Sequence, residues 1–372
     1  QQGNAIAQNN LGAIYQFGKG TPKDYKKAFN WYLKSAQQGN ALAQSSLGLA
    51  YHLGLGVTKD YKEAFNWYLK AAQQGQILAQ NFLGNAYYLG DGTAKDYKEA
   101  FNWYLKSAEQ GYASAQFHVA EMFRVGKGVT NDYEEAAKWY LKSAQQGNAS
   151  AQSKLGDAYQ FGIGAPKDYK EAFNWYEKSA QQGNASAQSN LGDAYYFGHG
   201  VTKDYKEAFN WYEKSAQQGN ASAQSNLGDA YLFGRGVTKD YKEAFKWYLK
   251  AAKKGDADGQ LGLGLLYDSG EGVAKDYKEA LNWYLKAAQQ GQILAQYFLG
   301  NAYYFGEGTA KDYKEAFNWY LKSAEQGYAS AQSRLGRAYH RGQGVTKDYK
   351  EAFKWYLKAA KKGDADGQLG LG

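Results

Sequence analysis

Cysteine is absent, which excludes disulfides, thiolate zinc sites and cysteine nucleophiles but fits a reducing or an oxidising compartment equally well. No run of 18 apolar residues occurs, so no membrane span is expected. Gln1-Gln2-Gly3 is neither an initiator methionine nor a signal peptide, so any targeting segment is expected to lie outside this sequence and the compartment stays open. The four histidines, His52, His118, His199 and His340, lie in different copies, so no metal-ligand spacing recurs and neither metal nor cofactor is expected. Single-sign charge runs are missing too. The net charge is +8, but lysines recur as Lys-Asp-Tyr-Lys-Glu with acids between them, which reads as a solvated face rather than a nucleic-acid footprint.

What is present is a period. Tryptophans stand at Trp31, Trp67, Trp103, Trp139, Trp175, Trp211, Trp247, Trp283, Trp319 and Trp355, every step being 36 residues. A strict period of this length marks a solenoid, in which each copy contacts its neighbours and a core forms only by stacking. One elongated domain over residues 1–372 is therefore expected, with an incomplete copy at each end. Aromatic residues make up 17% of the chain, yet mean hydropathy is only -0.72, because narrow apolar stripes alternate with densely polar faces.

The second copy shows the unit. Asn40 opens helix A as an N-cap, and Ala43, Leu47, Ala50 and Tyr51 recur at helical spacing on one face. Gly48 lies mid-helix, where glycine costs about 1 kcal/mol relative to alanine, so its recurrence predicts a close helix approach. Gly54-Leu55-Gly56 supplies left-handed conformations that end the helix. Asp60 then starts helix B, with Glu63 at capping-box spacing, and Tyr61, Ala64, Phe65, Trp67, Tyr68, Ala71 and Ala72 form a broad apolar stripe. The short turns make the two helices antiparallel. All ten tryptophans are assigned to the core on the strength of their apolar area.

These residues, Ala-x-Ala-Gln-x-x-Leu-Gly-x-x-Tyr, Gly-x-Gly-Val-x-Lys-Asp-Tyr-x-x-Ala and Trp-Tyr-x-Lys-Ala-Ala-x-x-Gly, resemble the Sel1-like repeat, an all-α relative of the tetratricopeptide repeat. The resemblance covers the whole chain. It implies an all-α solenoid of antiparallel helix pairs wound into a right-handed superhelix, with a concave wall made largely by helices A. It also implies a scaffold or adaptor, often bacterial, that binds other proteins and has no catalysis of its own. The departures are mild: Val119-Ala120 replaces Leu-Gly and Phe123 replaces Tyr in the fourth copy, while Gly259 and Gly367 replace a helix A alanine, which is expected to loosen packing there.

Residues 70–116 and 286–332 differ only at Asn81/Tyr297, Leu89/Phe305 and Asp91/Glu307, and residues 237–264 and 345–372 are identical. Such block copying means that the array grew by multi-repeat duplication or was engineered, and the irregular fourth copy favours a natural array. Both ends fall in mid-unit without a polar cap, so a fragment of a longer array is expected, and head-to-tail association into a filament is the alternative.

Variation between copies concentrates in helix A. One column reads Ala13, Leu49, Asn85, Glu121, Asp157, Asp193, Asp229, Leu265, Asn301, Arg337; a second, three residues on, reads Gln16, His52, Tyr88, Arg124, Gln160, Tyr196, Leu232, Asp268, Tyr304, His340. Residues three apart share a helical face. From these columns Asn85, Tyr88, Asp157, Gln160, Asp193, Tyr196, Asp229, Asn301, Tyr304, Arg337 and His340 are the candidate partner-binding residues. The three aspartates form an acidic ladder suited to a basic or extended peptide, and the tyrosines among polar groups suit a glycan as a second alternative. The Gly-x-Gly turns lie between helices and lack the strand and third glycine of a dinucleotide site. No Ser/His/Asp or paired-carboxylate set breaks the period, so no enzyme is expected. Asn148, Asn184 and Asn220 match the glycosylation sequon, with helix capping the simpler reading.

Overall fold

A computed structural model describes residues 3–371. Among the described residues the chain forms 21 helices and no strand, and every helix but the last has 13 residues. Contacts divide it into two compact units, Gln1–Gln182 and Gly183–Gly372. The first holds five A–B pairs, from Ala5–Phe17 with Tyr25–Gln37 to Ala149–Phe161 with Tyr169–Gln181. The second holds five more, from Ala185–Phe197 with Tyr205–Gln217 to Ala329–Arg341 with Tyr349–Lys361, followed by the short helix Ala365–Leu369.

Local chemistry sets the helix bounds. The Asn40 side chain accepts from the Ala43 amide at 2.9 Å, and helix A, Ala41–Leu53, ends at Gly54 with φ 74°, a left-handed cap open to glycine without a Cβ penalty. The Asp60 side chain accepts from the Lys62 and Glu63 amides at 2.9 and 3.0 Å and starts helix B, Tyr61–Gln73. The reciprocal half of the expected capping box is replaced: the Asp60 amide donates to the Tyr51 carbonyl at 3.0 Å, folding the turn back onto helix A. The sequon residues Asn148, Asn184 and Asn220 are likewise N-caps, accepting from Ala151, Ala187 and Ala223.

Two glycines control approach. A Cβ on Gly48 would lie 2.6 Å from the ring of Tyr68, and one on Gly56 would lie 2.1 Å from the Tyr25 carbonyl oxygen of the preceding copy. The first sets the A–B distance within a copy and the second sets the distance between copies. At Gly259 and Gly367 the expected loosening is replaced by the opposite. A Cβ there would meet Ala251 Cβ or Ala359 Cβ at 2.6 Å, so these helices sit closer than an alanine allows.

The core is also redistributed relative to the sequence reading. Ala43, Leu47, Ala64, Tyr68, Ala71 and Ala72 are buried, whereas the tryptophans are half-buried, Trp319 alone falling to 9% exposure. The reason is a lysine three residues on: Lys34, Lys70, Lys106 and their equivalents place an ammonium 3.7 to 4.7 Å from each indole. A cation over the ring face keeps that face at the water boundary. The residue that fills the core is the next one, tyrosine.

Copies are stitched by a buried glutamine. Gln44 donates through Nε2 to the Ala36 carbonyl of the preceding helix B at 3.2 Å and accepts from Gln74 Nε2 at 2.7 Å. Gln80 and Gln116 repeat both bonds in the first unit, and Gln296 and Gln332 donate to Ala288 and Ala324 in the second.

Candidate functional site

The two variable columns of helix A meet the buried tyrosine of helix B in the same copy. Tyr104 donates its hydroxyl proton to Asn85 at 2.6 Å, Tyr176 to Asp157 at 2.9 Å, Tyr212 to Asp193 at 2.7 Å and Tyr320 to Asn301 at 2.8 Å. Tyr140 to Glu121 and Tyr248 to Asp229 complete the series. Where the first column is apolar, the second takes over: with Ala13, Tyr32 donates to Gln16 at 2.5 Å, and with Leu265, Tyr284 donates to Asp268 at 3.2 Å. The columns vary, but in eight copies they keep an acceptor over the tyrosine hydroxyl, as desolvation of a hydroxyl demands.

The acidic ladder is therefore a set of internal acceptors as well as a surface feature. Asp157 also pairs with Lys154 at 3.1 Å, and Asp193 also accepts from Asn226 at 3.2 Å. Burial raises the Asp193 pKa to about 6 against the hydrogen bonds from Tyr212 and Asn226. Desolvation beside Tyr248 does the same to Asp229, with Asp258 and Asp256 adding to it, although part of that side chain remains in solvent. At Glu121 burial also opposes ionisation, but hydrogen bonds from Arg124 and Tyr140 outweigh it and hold the pKa below the ordinary carboxylate value.

The remaining candidates line the end of helix A. Tyr88 packs edge-on to Tyr97 at 5.2 Å and receives Lys127 over its ring. Tyr196 and Tyr304 make the same contact with Tyr205 and Tyr313, each at 5.2 Å, and Arg235 stands over Tyr196 at 5.4 Å. Gln160 is half-buried. Arg337 pairs with Asp366 at 3.4 Å, and exposed His340 lies edge-on to Tyr349. Several candidates also reach the following copy: Asp193 through Asn226, Tyr88 through Lys127, Tyr196 through Arg235 and Arg337 through Asp366.

The columns also leave out a surface feature that the structure brings forward. The last residue of helix A is apolar and exposed in eight copies: Phe17, Leu53, Leu89, Val125 and Phe161 in the first unit, and Phe197, Phe233 and Phe305 in the second. Phe17 and Phe161 expose 59% and 61% of their surface. The sequence signal is an apolar residue beside the cap glycine, off the buried stripe of helix A. Among the described residues no helix is long and apolar enough to cross a membrane, and no cluster of three or more His, Asp or Glu could hold a metal ion.

Comparison with known proteins gives ten successive matches to the Sel1 repeat, residues 5–40, 41–76, 77–112, 113–148, 149–184, 185–220, 221–256, 257–292, 293–328 and 329–364. Among solved structures, a protective antigen present in uropathogenic Escherichia coli strains and displaying an SLR fold is 38% identical, with a TM-score of 0.71, over 99% of this chain and 87% of that one. A Sel1 repeat protein from Oxalobacter formigenes is 33% identical, with a TM-score of 0.60, over 82% of this chain and 88% of that one. No curated protein matches.

Proposed function

The chain belongs to the Sel1 repeat family, a scaffold fold whose members generally bind proteins, and from that premise we propose that residues 1–372 act as one non-enzymatic array that captures a protein or peptide partner on helix A. The observation that carries this reading is the exposed apolar ladder at the helix A ends, flanked by Tyr88, Tyr196 and Tyr304 with their cations. Regularly spaced apolar side chains in water, rimmed by aromatic and cationic groups, match the composition of protein interfaces. They lie on the helix A side that the family resemblance makes the concave wall.

The ladder is also the correct place to test the reading. Reversing Asp157, Asp193 and Asp229 to lysine would strand three buried hydroxyls and confound binding with stability. Changing Phe17, Leu53 and Phe161 together to serine alters side chains that are more than half exposed at helix ends. Partner recovery by cross-linking from the native host is expected to fall at least about tenfold, a loss of roughly 1.4 kcal/mol or more, with helicity and melting unchanged. Undiminished recovery would sink the proposal.

A further inference from the structure

Tyr68 breaks the pattern of satisfied hydroxyls. It is 2% exposed, and among the described residues its oxygen is buried with no hydrogen-bond partner. The first column offers Leu49 and the second offers His52, whose ring instead stands edge-on to Tyr61 at 5.2 Å. Burial holds the hydroxyl pKa far above its ordinary value, so it remains a proton donor. Tyr68 lines a cavity of about 130 Å³ walled by Tyr61, Phe65, Phe82 and Leu89, with His52 and Asp91 also lining it.

The molecule contains its own control. Six copies on, the equivalent cavity of about 160 Å³ is walled by Tyr277, Leu281, Phe298 and Phe305. Leu265 stands where Leu49 does, but Asp268 replaces His52 and accepts from Tyr284. One position therefore decides whether the hydroxyl is satisfied from within. A cavity of about 150 Å³ lined by apolar side chains admits one benzene ring, and the Tyr68 cavity sets the polar groups of His52, Asn85 and Asp91 beside its aromatic walls.

We propose that the Tyr68 cavity binds a single planar ring carrying a hydrogen-bond acceptor, a phenol being the simplest case. The ring packs among Phe65, Phe82 and Leu89, its oxygen accepts from Tyr68, and the Asp91 carboxylate lines the same cavity as an acceptor for the phenolic O–H. The inference shares Leu89 with the helix A ladder but rests on a different observation, the unpaired Tyr68 hydroxyl in one cavity between two successive copies. A free phenol and a tyrosine side chain share this chemistry.

The test titrates the full chain with p-cresol and with toluene, which has the same shape and no acceptor, by calorimetry. One p-cresol per chain is expected to bind about tenfold tighter than toluene, the scale set by leaving a buried donor unpaired. Tyr68→Phe removes the donor, and His52→Asp reproduces the Asp268 arrangement already folded in this chain. Both are expected to abolish the preference with helicity intact. N-acetyltyrosinamide separates the sources: binding equal to p-cresol assigns a peptide side chain, and exclusion assigns a free phenol. Equal binding of p-cresol and toluene, binding of neither, or a preference that survives in Tyr68→Phe overturns the proposal.

Discussion

Asp193 carries a measurable pH signature. Its carboxyl titrates near 3.8 when unfolded and at about 6 when folded. Between those values the folded chain holds a proton that the unfolded chain has released, so this group's contribution falls as pH rises through the window and is least favourable above it. Asn85 and Asn301 show that an amide accepts from the same tyrosine without charge. Asp193→Asn is therefore expected to be more stable than the parent at pH 7, by about 1–3 kcal/mol, and to gain less on acidification to pH 4. Denaturant melts at the two pH values check this; a variant weaker than the parent at pH 7 would show that the charge itself is required.

The glutamine stitch and the second turn glycine act at the level of helices. Gln80→Leu removes an amide that serves the Ala72 carbonyl and the Gln110 side chain, and loss of such a buried partner is expected to cost about 1–3 kcal/mol in chemical unfolding. Gly92→Ala places a Cβ 2.1 Å from the Tyr61 carbonyl oxygen at φ 76°, so backbone must shift and a loss above about 2 kcal/mol is expected. A neutral result would mean that neighbouring copies slide freely. Helix existence, caps and the mid-helix glycine contact were legible in the sequence because each follows from signals within one copy. The tyrosine acceptors were not, because they join residues 16 or 19 apart on different helices, and a variable column looks the same whether it serves solvent or a buried donor. Tryptophan burial was misread for a related reason: counting apolar area says nothing about Lys70 lying over the face of Trp67.

At the scale of the whole molecule, damage is expected to stay local. Within each unit a helix pair packs on its sequence neighbours, so repeat stability there is approximately a sum of nearest-neighbour terms. In Gly92→Ala, amide exchange is expected to accelerate within residues 41–148 and to remain at parental rates in residues 257–361, as read by mass spectrometry. Uniform acceleration throughout would instead mean global cooperativity. The seams themselves have a further property. Gln44 grips the carbonyl of Ala36, and Gly56 rests on the carbonyl of Tyr25, so a copy recognises its predecessor through main-chain oxygen that every residue presents. These two contacts are indifferent to which side chain the predecessor carries at residues 25 and 36. In-frame recombination that inserts or deletes a whole number of copies recreates the same joint, which leaves array length open to selection while each junction stays intact.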